Sequence, residues 1–431
     1  MGLTSVESKA SSLAAFMNML KSNVGTGVLS MPIAFSHAGW LLGLTTLPIF
    51  ALFCTHAMFL LISAQKHVCR KFSLTALSYE EVTEKAFTIG PQPLRPYARF
   101  MSRAVSFFLT SAQVGISTAY VLFVCESIKK IISDFLPDVI NIHLIYFIMI
   151  LFPMMALLNQ IRTMKYLAIA SATANTLQAI GLVLLFVNLV QDIPSIGDRR
   201  VINFSKFPLY FGTAVFSFEG ISVVLPVRDS MKRPEQFDGV FGILSVANIV
   251  TVILYMFLGT LGYFKYGDTV HGTITVDLPR NIFYETDRFL FAVAVFLSYP
   301  LQFYVPINLI WPFFQKKLPE DLQKSTTINS FYRAALVSTT FMAAAVVPYL
   351  DLVISLVGAI SSSFVALIFP PFVHVVTIWE ERENISTSKW IWIWIKGLAI
   401  TLFGIIGSIL GTYLSLVAIY EAATSETPRH L

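Results

Sequence analysis

The stretch SNVGTGVLSMP, at Ser22–Pro32, decides how this chain folds, because it places two glycines and a proline within an apolar segment. Gly25 and Gly27 flank Thr26, and Pro32 follows Gly27 by five residues. Glycine and proline both weaken or interrupt the regular hydrogen bonds of a helix. We therefore predict that a membrane helix in this region is broken near its middle.

A second stretch of the same kind, FGTAVFSFEGISVVLP, lies in the sixth apolar segment of the chain. It places Glu219 and Gly220 at mid-segment, and Pro226 follows Gly220 by six residues. Either cluster alone is a weak signal, because small residues also serve for close packing of membrane helices. Matching interruptions in spans one and six, which are corresponding positions of two five-helix halves, indicate a transporter with inverted repeats and a site at the membrane midplane.

The composition of the whole chain is that of a membrane protein. Of its 431 residues, 55% are hydrophobic and only 13% are charged, whereas a soluble domain carries about 25% charged residues. This composition excludes a water-soluble globular protein, and a net charge of +5 gives no support to nucleic-acid binding.

Eleven apolar segments are found with a window of about 19 residues. We predict an all-α membrane protein with eleven transmembrane helices, arranged as a five-plus-five inverted repeat with broken helices 1 and 6 and one extra C-terminal helix. The segments lie at residues 12–38, 40–65, 99–128, 142–159, 165–191, 207–228, 238–264, 287–315, 328–350, 351–379 and 390–420.

The predicted spans divide the chain into a short cytoplasmic N-terminus (1–11), a membrane domain (12–420) and an outward-facing tail (421–431). Lysine and arginine set the orientation, because cytoplasmic loops retain them during insertion. Twenty of the 30 Lys and Arg residues lie on the side of the N-terminus. We therefore predict a multi-pass protein with a cytoplasmic N-terminus; the plasma membrane and a lysosomal or vacuolar membrane both stay open.

The two breaks predict a site for a zwitterion. Free amide N–H groups at the start of a half-helix attract a carboxylate, and free carbonyl groups at the end of another attract an ammonium. We expect the carboxylate at the first break and the ammonium near Ser217, with phenylalanine rings leaving room for a small side chain only. The candidate substrate-binding residues are Asn23, Gly25, Thr26, Gly27, Phe216, Ser217, Phe218, Gly220, Tyr299 and Phe303.

Ionisable residues within the spans are candidates for proton coupling. Glu219 is the only acidic residue that this assignment places at mid-membrane, where a charge costs about 2.5 to 3.5 kcal/mol. It could carry a proton, or it could be a neutral side chain that holds the break open. His56 and His374 could carry protons or could hydrogen-bond a neighbouring helix. Lys21 could pair with a carboxylate, but snorkelling to the surface is favoured.

Four motifs resemble the proton-coupled amino acid transporter branch of the amino acid/auxin permease family. The resemblance runs from about residue 12 to about residue 420 and implies eleven spans, the five-plus-five inverted-repeat fold, and transport of small neutral amino acids driven by protons. The motifs are NMLKSNVGTGVLSMPIAF, YFGTAVFSFEGISVVLP, LQFYVP and LDLVISLVGAISSSFVALIFPP.

The chain departs from this family pattern at two places. Proton-coupled members carry a His three residues before the lysine that is Lys21 here, whereas this chain has Asn18, which does not titrate near neutral pH. The family's cysteines in two outer loops are also missing. A pH-independent amino acid facilitator and an amino acid sensor that signals through its cytoplasmic loops are therefore the alternatives to a proton-coupled symporter.

No enzyme motif accompanies these features. The chain has no phosphate-binding loop, zinc-protease motif or nucleophile elbow, and Cys54, Cys69 and Cys125 lack metal-ligand spacing. We predict a protein that is not an enzyme and has no cofactor and no metal site. The expected partners are small neutral amino acids, protons and the lipid bilayer, with no nucleic acid.

Overall fold

The computed structural model describes residues 10–136, 143–162, 164–191, 193–194, 196–218, 220–323 and 325–424. These described residues form helices and contain no β-strand. Eight helical stretches among them are long and apolar enough to cross a membrane. The prediction of an all-helical membrane protein is therefore confirmed. The eight stretches are Trp40–Phe72, Gln92–Phe135, Tyr166–Val190, Phe207–Asp229, Ile243–Thr269, Ile282–Gln315, Leu350–Thr377 and Thr387–Thr424.

The α-helices are numbered here in chain order. In the first part of the chain they are α1 (Ser12–Asn23), α2 (Thr26–Leu29), α3 (Met31–Ala38), α4 (Trp40–Phe72), α5 (Tyr79–Ile89), α6 (Ala98–Phe135), α7 (Leu144–Leu158) and α8 (Met164–Val190). In the second part they are α9 (Phe207–Ser217), α10 (Ile221–Asp229), α11 (Ile243–Tyr266), α12 (Ile282–Gln315), α13 (Glu320–Gln323), α14 (Thr326–Val346), α15 (Leu350–Val357), α16 (Phe369–Thr377) and α17 (Thr387–Thr424).

Three of the predicted spans are helical but do not meet the length and hydropathy of a spanning helix. The first is divided into α1, α2 and α3, and the fourth forms α7, which is apolar but has 15 residues. The ninth forms α14, which has 21 residues but is not among the eight apolar stretches.

The first helix breaks where its glycines predict. α1 ends at Asn23, and α2 begins at Thr26 after Gly25, whose φ of −119° and ψ of −145° are not helical. The Val24 N–H turns back to the carbonyl of Leu20 and closes the last turn of α1. We call Val24–Gly25 the first break.

The sixth span is also divided into two helices. α9 ends at Ser217 and α10 begins at Ile221, and we call the connection between them the second break. Gly220 precedes α10 directly, and Glu219 lies outside the described residues.

A buried group of charges joins α6 to α12. Arg288 is fully buried, and its Nη1 lies 2.5 Å from Glu285 Oε2 and 3.2 Å from Asp134 Oδ2. Its Nε donates to the carbonyl of Thr275 at 2.8 Å. We call Asp134, Glu285 and Arg288 the ionic cluster. Because both acids reach the same guanidinium, the cluster fixes two long helices against each other.

Candidate functional site

The two breaks lie against each other. A Cβ atom added to Gly27 would lie 2.4 Å from Ser217 Oγ and 3.0 Å from Ser217 Cα, which is closer than real side chains approach. A Cβ atom added to Gly220 would lie 2.6 Å from Asn23 Oδ1. Glycine is therefore required at both positions by the contact between the half-helices, and a larger residue would separate them.

α11 connects the two breaks through a tyrosine. The Tyr255 hydroxyl lies 2.6 Å from the carbonyl oxygen of Asn23 and 2.8 Å from that of Ser217. These carbonyls end α1 and α9, where the regular helical bonds stop. A tyrosine has one hydroxyl hydrogen, so it donates to one carbonyl at a time. The Tyr255 hydroxyl therefore holds the C-terminal ends of α1 and α9 close to each other.

Asn248 supports the same contact from the same face of α11. It precedes Tyr255 by seven residues, which is two helical turns. Its Oδ1 accepts a hydrogen bond of 3.0 Å from Asn23 Nδ2, and its own Nδ2 donates to Thr55 Oγ1 at 2.8 Å. A polar chain thus runs from the first break through α11 to α4.

Two polar atoms at the first break have spare hydrogen-bonding capacity. Asn23 and Thr26 are 3% and 1% exposed. Asn23 Oδ1 and Thr26 Oγ1 have no hydrogen-bond partner within the part of the chain that the structure describes. Buried polar groups are normally hydrogen-bonded, so such exceptions mark places where a polar ligand can bind.

Neighbouring helices complete the surroundings of the breaks. From α8, Gln178 Nε2 donates to the carbonyl of Val24 at 3.0 Å. From α6, the Tyr120 hydroxyl lies 3.0 Å from the position that a Cβ on Gly25 would take, and Gln113 Nε2 donates to Ser222 Oγ at 3.3 Å. The site is therefore enclosed by α6, α8 and α11.

Aromatic rings fill the space beside the second break. Phe216 is 5% exposed and Phe218 is 1% exposed. The Phe218 ring packs on Tyr255, with ring centroids 5.2 Å apart. These contacts limit the volume next to the break.

Tyr299 and Phe303 contact each other and α14. Their rings stack with centroids 5.4 Å apart, and the Tyr299 hydroxyl shares a 2.9 Å hydrogen bond with Thr340 of α14. Both side chains are fully buried. Their polar contact thus serves the packing of α12 on α14.

The proposed coupling residues are dispersed. His56 of α4 lies beside His374 of α16 and Lys396 of α17, and Asn18 is exposed on α1. The Lys21 ammonium donates to the carbonyl of Ser171 on α8 at 3.3 Å. That Lys21 snorkels to the membrane surface stays a prediction.

Some buried polar residues were missed by reasoning from the sequence. Asn248 and Tyr255 could have been found, because they are polar residues two turns apart in an apolar helix. Asp287 of α12 is fully buried, and neither of its carboxylate oxygens accepts a hydrogen bond from a described residue. No three His, Cys, Asp or Glu side chains of the described chain are arranged to hold a metal ion.

Comparisons with known proteins agree with this geometry. Residues 8–417 match the family described as "Transmembrane amino acid transporter protein". The chain is 31% identical to "Proton-coupled amino acid transporter-like protein pathetic" of Drosophila melanogaster, over 94% of this chain and 84% of the relative. It is 24% identical to "Probable amino acid transporter skat-1" of Caenorhabditis elegans, over 96% of this chain and 91% of the relative.

The family and both relatives are transporters and not enzymes. The match covers nearly the whole length of the chain and includes both breaks. This chain belongs to the transmembrane amino acid transporter family.

Proposed function

We propose that the protein is a secondary active transporter of small neutral amino acids, driven by protons through alternating access. The observation that carries this proposal is the contact between the two breaks, with buried polar atoms of Asn23 and Thr26 left without partners among the described residues. Family membership supports an amino acid as the substrate. The name of the Drosophila relative supports proton coupling.

We propose that the substrate binds through both its carboxylate and its ammonium group. The amide groups of Thr26 and Gly27 and the Thr26 hydroxyl donate to the carboxylate. The Gly25 N–H, which the sequence also suggested, already donates to the carbonyl of Asn23 at 3.0 Å. Asn23 Oδ1 is an acceptor for the ammonium, since the carbonyl of Ser217 is already contacted by Tyr255. The burial of Phe216 and Phe218 favours a substrate with a small side chain.

The proposal includes eleven spans in a five-plus-five inverted repeat, an additional C-terminal helix and a cytoplasmic N-terminus. The placement of breaks in two corresponding spans supports the repeat. The sequon at Asn384 tests the orientation, because Asn384 is exposed and would lie in the cytoplasm. A glycan mapped to Asn384 in cells would contradict the orientation. Asn203 is a poorer probe, since its Nδ2 is buried.

Three residues are candidate proton carriers. Glu219 and His56 are proposed from their place in the spans, and the buried Asp287 adds a carboxyl group without a hydrogen-bond partner among the described residues. An ionisable group kept at membrane depth is costly, which favours a use for it. A pH-independent facilitator is the second candidate function, favoured by an exposed Asn18 in place of a titratable histidine.

Transport by the purified protein tests the proposal. Proteoliposomes are loaded at pH 7.5 and diluted into labelled alanine at external pH 5.5 or 7.5. We expect accumulation above equilibrium at pH 5.5 only, with inhibition by unlabelled glycine and none by unlabelled phenylalanine or arginine. Equal, non-concentrative uptake at both pH values would identify a facilitator, and alanine binding without flux would identify a sensor.

A further inference from the structure

Three basic side chains, one of them the candidate proton carrier His56, converge on a cleft that lies outside the two breaks. The cleft is lined by His56 of α4, His374 of α16 and Lys396 of α17, and we call these three residues the basic cleft. They come from α4 and from the consecutive helices α16 and α17, and α16 packs against both of the others. The ammonium of Lys396 brings a positive charge into this cleft, and a partly buried charge is stabilised by an oppositely charged partner.

The side chains of the basic cleft lack acidic partners. No carboxylate of the described residues forms an ion pair with His56, His374 or Lys396. The nearest acidic residues along the chain after α16 are already used, because Glu380 pairs with Lys71 and Glu381 lies 3.5 Å from His67. The charge of Lys396 is therefore available to an external anion.

The histidines point hydrogen-bonding atoms into the protein without a partner. His374 is 8% exposed, and its Nδ1 is buried with no hydrogen-bond partner within the described chain. Nε2 of His56 is likewise buried and has no hydrogen-bond partner within the described chain. An imidazole carries at least one N–H in either protonation state, so each ring can donate to an oxygen. Together with the ammonium, the cleft offers donors of the kind that a phosphate group takes.

The position of the cleft corresponds to the level of lipid headgroups. α17 has 38 residues and is about 57 Å long, far more than the roughly 30 Å of hydrocarbon, so its ends extend beyond the bilayer core. Lys396 lies in the third turn of α17. Tryptophans collect at membrane interfaces, and four of the six in this chain surround this turn. They are Trp379, Trp390, Trp392 and Trp394.

The surroundings of the cleft favour a lipid over a soluble anion. Its lining includes the apolar residues Leu60, Val375 and Ile393. On α17, Trp392, Ile395 and Leu398 are 57%, 52% and 54% exposed, so an apolar surface continues from the cleft along the outside of the helix. An acyl chain fits such a surface, whereas a free phosphate ion gains nothing from it.

We infer that the basic cleft binds the phosphate of an anionic phospholipid, whose acyl chains lie along α17. Basic pockets between transmembrane helices bind anionic headgroups in this way. The lipid would link α17 to α4 and α16. This site is separate from the proposed substrate site at the two breaks. Because His56 is also a candidate proton carrier, the test substitutes Lys396 and His374 and leaves His56 in place.

Lipid retention by the purified protein tests the inference. The protein in detergent is mixed with phosphatidylglycerol and phosphatidylcholine of identical acyl chains, and bound lipids are counted by native mass spectrometry. We expect preferential retention of phosphatidylglycerol. Lys396→Gln should weaken it about fivefold, His374→Phe should weaken it further in combination, and Lys396→Arg should preserve it.

Lys389 provides the matched control, because it is exposed on the same helix and outside the cleft. Lys389→Gln removes the same charge and should leave retention unchanged. Equal binding of the two lipids, or equal losses in Lys389→Gln and Lys396→Gln, would overturn the inference. Displacement of phosphatidylglycerol by millimolar inorganic phosphate would also overturn it, in favour of a soluble anion. The thermal midpoint of each variant is also measured, so that weaker lipid retention can be distinguished from unfolding of the variant.

Discussion

The ionic cluster and the two facing breaks are both buried and polar, but their hydrogen bonds are distributed differently. In the cluster, Arg288 reaches two acids and two backbone carbonyls. At the first break, Asn23 Oδ1 and Thr26 Oγ1 have no partner within the described residues. Both regions bear the cost of burying polar groups. In the cluster the cation is fully engaged and only Glu285 Oε1 lacks a partner among the described residues, whereas the first break leaves both a hydroxyl group and an amide oxygen unbonded. We therefore interpret the cluster as scaffold and the breaks as the site.

The largest expected effect comes from breaking the ionic cluster. Arg288→Ala leaves Glu285 buried without its cation, whereas Asp134 keeps Lys130 and Arg280, so the variant should lose about 3 kcal/mol of stability. The thermal midpoint of the purified protein in detergent measures this loss. Arg280→Ala is the control, because Arg280 also contacts Asp134 but its side chain is 67% exposed. Equal midpoints for the two variants would contradict the scaffold role of the cluster.

The next effect concerns the contact between the breaks. Gly27→Ala places a Cβ atom 2.4 Å from Ser217 Oγ, and overpacking of this kind costs about 1 to 3 kcal/mol. We expect loss of alanine uptake together with a lower thermal midpoint. The structure thus gives Gly27 a packing role in addition to the ligand approach that its sequence predicts.

A second substitution checks this explanation of Gly27→Ala. Ser217→Gly removes the Oγ and Cβ atoms that the new methyl group would meet. The double variant should therefore recover part of the midpoint that Gly27→Ala loses. A midpoint for the double variant that equals the sum of the two single losses would mean that the residues are not coupled.

Tyr255→Phe should have a smaller effect, because it removes one hydrogen bond that bridges the carbonyls of Asn23 and Ser217. Loss of a typical hydrogen bond costs about 1 kcal/mol. We expect a modest fall in the thermal midpoint and a lower transport rate, since the ends of α1 and α9 lose their common donor. Asn248→Ala removes the other α11 contact to Asn23 and should show the same pattern. A wild-type rate for Tyr255→Phe would remove this residue from the site.

The smallest expected effect comes from a pair outside the spans, in which the His271 side chain is exposed and the Asp277 side chain is buried. The hydrogen bond between His271 and Asp277 raises the pKa of His271 above its usual value. The folded protein therefore holds this proton more tightly than the unfolded chain does. The stabilisation is complete below about pH 6.5 and disappears as the pH rises through the raised folded-state pKa. His271→Gln should lower the thermal midpoint more at pH 5.5 than at pH 8.5. A fall in thermal midpoint that is the same at both pH values would contradict a stabilising role of the His271–Asp277 pair.

The helix breaks and the assignment as a helical membrane protein could be predicted from the sequence, because both depend on local composition. Glycines at 25, 27 and 220 identify where helices end, and apolar segments identify helices without knowledge of their neighbours. The partners of these elements could not be predicted, because they are distant in the chain. Asn23 and Tyr255 are 232 positions apart, and Asp134 and Arg288 are 154 positions apart. Nothing in either local pattern indicates which helices pack together.

The histidines show the same limit. His56 and His374 are each the single histidine of a predicted apolar span, and their meeting with Lys396 follows from the packing of α4, α16 and α17. Lys21 is similar, since its carbonyl partner on α8 is 150 positions away. The sequence therefore predicts which residues are unusual, and the fold determines which of them act together.

The central claim is that the spare hydrogen-bonding capacity at the first break binds the substrate, and Thr26→Val tests it most directly. Valine keeps the shape of threonine and removes the hydroxyl. Binding of labelled alanine to the purified protein without any gradient should weaken about tenfold, as expected for one lost hydrogen bond to a charged group, with an unchanged thermal midpoint. Thr213→Val, whose hydroxyl donates to the carbonyl of Leu209 at 3.1 Å, should bind like the wild type. Wild-type affinity in Thr26→Val would contradict the claim and place the substrate elsewhere.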